Sequence, residues 1–171
     1  MKTAFLFPGQ GSQQPGMLHL LPVQHPVVAE VFEDADSVLG CSVYSLDGVK
    51  ALSSTINVQL CLLITGVITA RRLVTEGIKI DFVAGHSVGA FSAAVTGDVI
   101  TFKQAVGLVY DRARHMENSF PDSYGMAALV GFTQSRLKPY LENHNAVHSP
   151  IFLANINAAD QMVVAGRTDS I

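Results

Sequence analysis

Short apolar runs alternate with helical patterns along the first part of the chain. Residues 3–7 and 78–84 are apolar runs bounded by glycine or proline, and they are predicted to be buried strands. Helical spacing of apolar residues predicts helices over 27–39, 56–76, 88–96 and 101–118. Buried strands that alternate with helices belong to parallel sheets covered on both faces, so this part of the chain predicts an α/β fold.

The pattern changes at Gly125, after a break that Pro121 is predicted to mark. Strands are predicted at 126–130, 151–156 and 161–165, with a short helix at 135–142 that Pro139 interrupts. The order strand, helix, strand, strand is the first half of a ferredoxin-like βαββαβ unit. We therefore expect an N-terminal domain over 1–124 and the start of a small subdomain over 125–171, within which the chain stops.

Composition narrows the class of protein. Of 171 residues, 49% are hydrophobic and 15% are charged, and the net charge is −3, as expected of a globular protein with a sizeable core. The 11 basic and 14 acidic residues are scattered, so neither nucleic acid nor a membrane surface is expected as a partner. The apolar segment 58–70 is shorter than the roughly twenty residues that a membrane span needs, which predicts a buried helix.

Targeting and metal-binding signals are weak. Pro8 and the polar residues after it end the N-terminal apolar run well short of a signal peptide. Cys41 and Cys61 do not have the spacing of metal ligands, so no metal site is expected and both thiols are predicted to be reduced and structural. These features predict a soluble cytoplasmic protein.

Residues 85–89, GHSVG, carry the strongest chemical signal. A serine between two glycines, after a strand and before a helix, is the pattern of a nucleophile elbow. The sharp turn lifts the hydroxyl of Ser87 to the N-terminus of a helix, where backbone N–H groups can hold an oxyanion. The alternative is a glycine-flanked turn with an ordinary surface serine, and the strand and helix around it favour the elbow.

A serine nucleophile needs a base, and no histidine of this chain is a convincing one. His86 is adjacent to the serine, but neighbours at a sharp turn point in different directions, so it is predicted to be a pocket wall or packing residue. The other histidines lie in polar contexts on predicted loops or helix surfaces. They are His19, His25, His115, His144 and His148.

Arg112 is the second candidate residue. It lies on the apolar stripe of the helix 101–118, whereas Arg114 points the other way. The stripe consists of Phe102, Ala105, Val109 and Met116. An unpaired buried charge costs about 3–5 kcal/mol, so an internal carboxylate or an anionic ligand is expected beside the guanidinium. The alternative is a packed stem whose charged end reaches solvent.

A serine and an arginine in one cavity would form a binding site for an acyl group that has its own carboxylate. The serine would form the ester, and the guanidinium would bind the carboxylate in bidentate fashion. A shorter acyl group such as acetyl would leave the cation unpaired, which would exclude it.

An ordered set of motifs resembles the malonyl-CoA:acyl carrier protein transacylases over essentially the whole chain. The motifs are FPGQG at 7–11, Thr55 and Gln59 at the start of the long helix, GHSVG at 85–89, Arg112, GMAA at 125–128, ANIN at 154–157 and QMVVAG at 161–166. The fold that the resemblance implies is an α/β-hydrolase-like core with a parallel sheet and an inserted ferredoxin-like subdomain.

The resemblance also implies an activity. Malonyl would pass from a CoA-type thioester to Ser87 as an ester, and then to the phosphopantetheine thiol of an acyl carrier protein, with no permanently bound cofactor. The backbone N–H groups of Gln10 and Val88 would form the oxyanion hole, and Arg112 would hold the malonyl carboxylate. The pocket would be lined by His86 and Gln59, with Asn157 near its mouth.

Two departures from the family pattern affect the expected carrier. In the fatty-acid branch the elbow continues Gly-Glu-Tyr, whereas this chain has Gly-Ala-Phe at 89–91. The segments 15–22 and 58–64 are more similar to the epsilon subunit of malonate decarboxylase. That resemblance implies the decarboxylase's own carrier subunit as acceptor and its other subunits as further partners. The alternative is a transacylase of fatty-acid or polyketide synthesis.

The family's catalytic histidine comes from segments beyond the position of Ile171, so the resemblance implies that the base lies outside this sequence. Two other functions stay open. A serine thioesterase or hydrolase would share the elbow, although such enzymes usually have an HGGG-type oxyanion loop instead of FPGQG. An inactive fragment that binds malonyl thioesters without turnover is the second.

Overall fold

The structure is a computed structural model, and it describes residues 2–119, 123–145 and 147–171. Pro121, predicted to break the chain after the long helix, lies outside the described residues. Contacts within the chain define two units, Met1–Asn118 and Ser119–Ile171.

The first unit combines a short parallel sheet with four helices. Its elements are β1 (Ala4–Phe7), α1 (Pro26–Leu39), α2 (Thr55–Thr75), β2 (Phe82–Gly85), α3 (Gly89–Thr96) and α4 (Phe102–Ser119). The strands β1 and β2 are parallel, with Phe7 opposite Gly85. Because parallel strands end at the same edge, the loop after Phe7 and the turn after Gly85 lie side by side.

The strand predicted over 78–84 is shorter in the structure. Pairing begins where β1 begins, since the carbonyl of Thr3 accepts hydrogen bonds from the amides of Asp81 and Phe82. The expected burial on both faces is wrong for this pair of strands, because Leu6 is 77% exposed and Phe82 is 57% exposed. In the described part of the chain this sheet has two strands.

Helix α2 forms the centre of the core. Its middle contributes a continuous set of buried residues, including Leu60, Leu63, Ile64 and Ile68, which join side chains of α1, α3 and α4 in one cluster. Among the described residues, α2 is the one helix long and apolar enough to cross a membrane, a criterion that core helices also meet, and 56% of its most apolar window is buried inside the protein.

The second unit is a small antiparallel sheet with one helix. Its elements are β3 (Tyr124–Val130), α5 (Gln134–Asn145), β4 (Phe152–Ala158) and β5 (Gln161–Arg167), with the strand order β3-β5-β4. Leu137 of α5 is buried with Ile151, Met162 and Val164.

The interruption predicted at Pro139 is wrong, because α5 continues through it. A residue with an N–H at this position would bond the carbonyl of Ser135, one turn earlier. Since Ser135 is exposed, water can satisfy that carbonyl instead.

The chain is thus a mixed α/β protein with a parallel sheet and a small antiparallel sheet. Three finer predictions stay predictions. They are the α/β-hydrolase-like core, the ferredoxin-like subdomain and the domain boundary between 124 and 125.

A buried carboxylate anchors the loop that follows β1. Asp47 is fully buried, and its oxygens accept hydrogen bonds from the amide of Leu18 at 2.7 Å and from the Nδ1 of His19 at 2.9 Å. Burial alone would raise the pKa of this carboxyl. The hydrogen bonds from His19 and from the two backbone amides outweigh burial and lower the pKa.

Replacing Asp47 by Asn is expected to lower the free energy of unfolding at pH 7 by about 2 kcal/mol, since bonds to a charged acceptor contribute roughly 1.5–3 kcal/mol. Because the folded pKa lies below the unfolded one, this stabilisation is complete above the unfolded value of about 4 and is lost as the pH falls through the folded pKa. Urea denaturation of both proteins at about pH 7 and pH 3 should therefore show a difference that narrows in acid. If the two proteins differed in the free energy of unfolding by the same amount at both pH values, the charge of Asp47 would not contribute to stability.

Candidate active site

Ser87 lies at the turn between β2 and α3 with the backbone of a nucleophile elbow. Its φ is 52°, a left-handed conformation that costs a non-glycine residue about 1–2 kcal/mol. The flanking glycines permit two close backbone approaches. A Cβ on Gly85 would overlap the backbone of Gly89, and a Cβ on Gly89 would overlap the carbonyls of Phe7 and Pro8. Gly85 and Gly89 are therefore required to be glycine by close backbone contacts.

The loop after β1 packs directly on this turn. The amide of His86 donates to the carbonyl of Phe7 at 2.9 Å. A Cβ on Gly9 would come within 2.7 Å of the Nδ1 of His86 and within 3.0 Å of its carbonyl oxygen, so a side chain at this position of the FPGQG motif would displace the imidazole. The loop that carries Gln10 is thereby held beside Ser87.

Arg112 reaches the serine from α4. Its Nη2 donates a hydrogen bond to the Oγ of Ser87 at 3.0 Å. Arg112 is partly buried and Arg114 is exposed, as the helical spacing predicts. The two residues that the sequence analysis combined are thus in direct contact.

The stripe predicted on α4 is wrong at its end. Ala113 is buried, whereas Met116 is 47% exposed, because the buried positions of this helix end one turn earlier. The start of α4 matches the prediction, since Thr101 and Gln104 exchange capping hydrogen bonds.

Gln59 connects Arg112 to the loop after β1. Its fully buried side chain accepts a hydrogen bond from the Nη1 of Arg112 through Oε1. Its Nε2 donates to the Oε1 of Gln10 at 3.1 Å and to the Sδ of Met116 at 3.3 Å. A continuous path of hydrogen bonds therefore runs from Gln10 through Gln59 and Arg112 to Ser87.

The two amides predicted to form the oxyanion hole are without an acceptor for their N–H groups in the part of the chain that the structure describes. No backbone or side-chain acceptor in the described residues takes the N–H of Gln10 or of Val88. Donors without a protein partner beside the serine are what an oxyanion requires. Their role as an oxyanion hole stays a prediction.

The remaining predicted residues are less well defined by contacts. His86 is exposed next to Ser87, and in the described part of the chain no imidazole hydrogen-bonds the serine hydroxyl. Asn157 lies on β4 of the second unit, so its place near the pocket stays a prediction. No group of metal-binding side chains occurs among residues 2–119, 123–145 and 147–171.

Sequence reasoning missed two contacts of this site. It assigned Gln10 only a backbone role, whereas the side chain of Gln10 also bonds Gln59. It placed Met116 in the core, whereas the sulfur contacts the amide of Gln59. Neither contact has a local signal, since each depends on how elements distant in sequence pack.

Two other features can be excluded as the catalytic centre. Burial, with a contribution from the charge of Asp47, raises the pKa of Cys61 to about 12, so this thiol is not a nucleophile at neutral pH. An apolar groove of about 410 Å³ between β1 and α2 is lined by residues such as Phe5, Leu62 and Leu73, and Ser87 is not among them.

The fold and the site define an acyl transferase domain. A family model described as acyl transferase domain matches residues 4–171, and the chain belongs to this family. The resemblance to malonyl-CoA:acyl carrier protein transacylases is confirmed by relatives of that name. The transacylase of Bacillus subtilis strain 168 is 36% identical over 174 residues, covering 99% of this chain and 55% of the relative. That of Synechocystis is 39% identical over 175 residues, covering 100% and 57%.

Solved structures agree with this assignment. FabD of Acinetobacter baumannii superposes with a TM-score of 0.90 at 34% identity, covering 99% of this chain and 55% of that one. A malonyl-transacylase in complex with a type II polyketide acyl carrier protein superposes with a TM-score of 0.87 at 32% identity, covering 99% and 56%. The chain spans about half the length of the relatives it matches.

These relatives favour the alternative carrier. They are transacylases that act with acyl carrier protein, and they do not support the malonate decarboxylase subunit expected from residues 15–22 and 58–64. Residues 58–64 are all buried, so core packing constrains that segment more than the choice of carrier does.

Replacing Gly89 by Ala is expected to destabilise the protein by more than about 2 kcal/mol, because the new Cβ would overlap two backbone carbonyls. The matched control is Gly107→Ala in α4, where a Cβ meets nothing within 4 Å. This control should stabilise the protein by about 0.5–1 kcal/mol. Thermal unfolding followed by circular dichroism measures both. Equal stabilities for the two variants would contradict the close packing at the elbow.

Proposed function

We propose that this chain transfers malonyl from a CoA-type thioester to the thiol of an acyl carrier protein through an ester on Ser87. The observation that carries the proposal is the hydrogen bond from the Nη2 of Arg112 to the Oγ of Ser87 at 3.0 Å. It puts a fixed positive charge beside a hydroxyl on a nucleophile elbow. Membership of the acyl transferase family supports the same activity.

In the first half-reaction, the Oγ of Ser87 attacks the thioester carbonyl and the C–O bond forms. The carbonyl oxygen becomes an oxyanion that the N–H groups of Gln10 and Val88 stabilise. The C–S bond then breaks, and the CoA sulfur leaves as a thiol with the proton that Ser87 lost. The family resemblance assigns that proton transfer to a histidine, and no imidazole of the described residues bonds the Oγ of Ser87. In the second half-reaction, the carrier sulfur attacks the ester carbonyl, the C–S bond of malonyl-carrier forms as the C–O bond to Ser87 breaks, and Ser87 takes up the proton that the carrier thiol loses.

Arg112 selects the acyl group by exchanging one hydrogen-bond acceptor, the Oγ of Ser87, for the carboxylate of the substrate. Once Oγ is part of an ester it is a weak acceptor, so the Nη2 of Arg112 loses its bond to it. The malonyl carboxylate lies one methylene beyond the ester carbonyl and can take this donor. Gln59 keeps its bond to Nη1 throughout, so the guanidinium does not reorient. An acetyl group provides no such acceptor.

The carrier in this proposal is an acyl carrier protein of fatty-acid or polyketide synthesis. A related malonyl-transacylase in complex with its polyketide carrier supports this class of partner. Malonyl-CoA is a substrate, and no permanently bound cofactor takes part. A cytoplasmic location belongs to the proposal because malonyl-CoA and carrier are its substrates.

We also propose the finer description of the fold. The elbow at Ser87 after a parallel strand supports an α/β-hydrolase-like core. The order β3-β5-β4, with both pairs antiparallel, supports the front half of a ferredoxin-like subdomain beginning at Gly125.

Incubation with malonyl-CoA is expected to add one malonyl group to the protein, and Ser87→Ala should abolish this addition. Intact-mass spectrometry measures the addition, and peptide mapping locates it. Adding a carrier thiol should then remove the group as malonyl-thioester. Rapid release of free malonate without a carrier would instead identify a thioesterase. If Ser87 were not labelled, the protein would only bind the thioester. Either result would refute the proposed transferase activity.

Replacing Arg112 by Ala is expected to slow malonylation of Ser87 by about 10- to 100-fold, because a hydrogen bond between charged groups contributes roughly 1.5–3 kcal/mol. Acetylation from acetyl-CoA should slow by a clearly smaller factor, because it loses only the contact of Arg112 with the Oγ of Ser87 and no contact with a carboxylate. Arg114→Ala is the matched control, since Arg114 is exposed and pairs with Asp111 on the same helix. Equal losses for malonyl and acetyl would show that Arg112 is only structural.

A further inference from the structure

Two helices provide the cation that would bind the malonyl carboxylate and the amide that holds this cation. Gln59 is on α2 and Arg112 is on α4, so their contact depends on how the start of α2 is held against the end of α4. A second link joins the same two helices. The carboxylate of Glu117 on α4 accepts a hydrogen bond from the hydroxyl of Ser54 at 2.8 Å and from the amide of Ile56 at 3.2 Å.

Glu117 replaces the usual cap of α2. Ser54 is the N-cap residue, but its side chain makes no capping hydrogen bond to its own helix. The first amides of a helix have no partner within the helix, and its N-terminus favours a negative charge. The carboxylate of Glu117 supplies both an acceptor and that charge from the neighbouring helix.

The geometry of this cap bears directly on Gln59. Ile56 and Gln59 lie one turn apart on the same face of α2. On α4, Glu117 lies about 1.4 turns beyond Arg112. The two links between the helices are therefore close together, and each limits the sliding and rotation that would break the other.

We propose that Glu117 is a positioning residue for malonyl recognition. It fixes the first turn of α2 to α4, and this keeps the Oε1 of Gln59 on the guanidinium of Arg112. This inference rests on the proposed function, since malonyl is the group that Arg112 would bind. Glu117 acts only through Gln59 and Arg112, and it takes no part in bond formation.

Both hydrogen bonds of Glu117 use the same oxygen, Oε2. A glutamine at this position therefore retains a suitable acceptor in its amide oxygen, whereas an alanine removes it. Comparing Glu117→Gln with Glu117→Ala separates the hydrogen-bonded link from the charge.

A matched control is available on another helix. Glu30 of α1 pairs with Arg71 of α2 at 3.3 Å, so Glu30→Ala also removes a carboxylate that links a helix to α2. This pair lies on the surface and makes none of the contacts of the Gln59 path. A general loss of helix packing would affect both alanine variants alike.

The experiment measures the rates at which Ser87 is acylated by malonyl-CoA and by acetyl-CoA, well below the melting temperature of each variant. In Glu117→Ala the malonyl-to-acetyl ratio is expected to fall about three- to tenfold, since the guanidinium loses its fixed position. In Glu117→Gln and in Glu30→Ala it should stay within about twofold of the wild type. Hydrogen exchange at the amide of Ile56 should be faster in Glu117→Ala alone.

A folded Glu117→Ala variant with the wild-type ratio overturns the inference alone. If the wild type takes no malonyl on Ser87, the proposed function fails and the inference fails with it. If Glu117→Ala does not fold, Ser54→Ala removes one of the two bonds, and it should lower the same ratio by a smaller factor. An unchanged ratio in that variant also overturns the inference.

Discussion

The close approach of three backbone segments is the constraint on which the site depends. The ends of β1 and β2 lie side by side because the strands are parallel, and the start of α3 returns across both of them. Gly85 and Gly89 meet at a distance that no side chain permits, and Gly89 also lies against the carbonyl of Phe7. The helix can therefore begin directly beneath the loop of Gln10, and Ser87 is forced into its left-handed conformation at the exposed corner.

The packing of the core holds Ser87 in its strained backbone conformation. Val88 is fully buried in the same cluster as the middle of α2 and the inner face of α4. This cluster sets the distance between the elbow and the two helices that carry Gln59 and Arg112. A conformation that costs about 1–2 kcal/mol can persist because relaxing it would displace side chains from a close-packed interior.

Much of this arrangement could be predicted from the sequence, because it follows from local rules. The end of the helix predicted over 27–39, the start of the helix predicted over 101–118, the elbow at Ser87 and the direction of Arg112 depend on spacing, capping and glycine, which act over a few residues. The errors lie where distant parts of the chain decide. The length of β2 is set by its pairing with β1. Pro139 does not interrupt α5, because water can bond the carbonyl that lacks a helical partner. The exposure of Met116 depends on where the core ends. The side-chain contacts of Gln10 and Glu117 likewise join residues far apart in sequence, which no local pattern encodes.

The contact between Arg112 and Ser87 links reactivity to selectivity. A guanidinium beside the free hydroxyl favours the negative charge that develops on Oγ as its proton leaves. In the proposed mechanism the ester oxygen is only a weak acceptor for the same guanidinium, which then gains most from an acyl group that carries its own anion nearby. Because Gln59 holds the other nitrogen of Arg112, the change of partner needs no movement of the helices. Under the proposed function, one fixed cation would thus serve the nucleophile before acylation and the substrate after it, and the buried side chain of Gln59 would hold it in place for both.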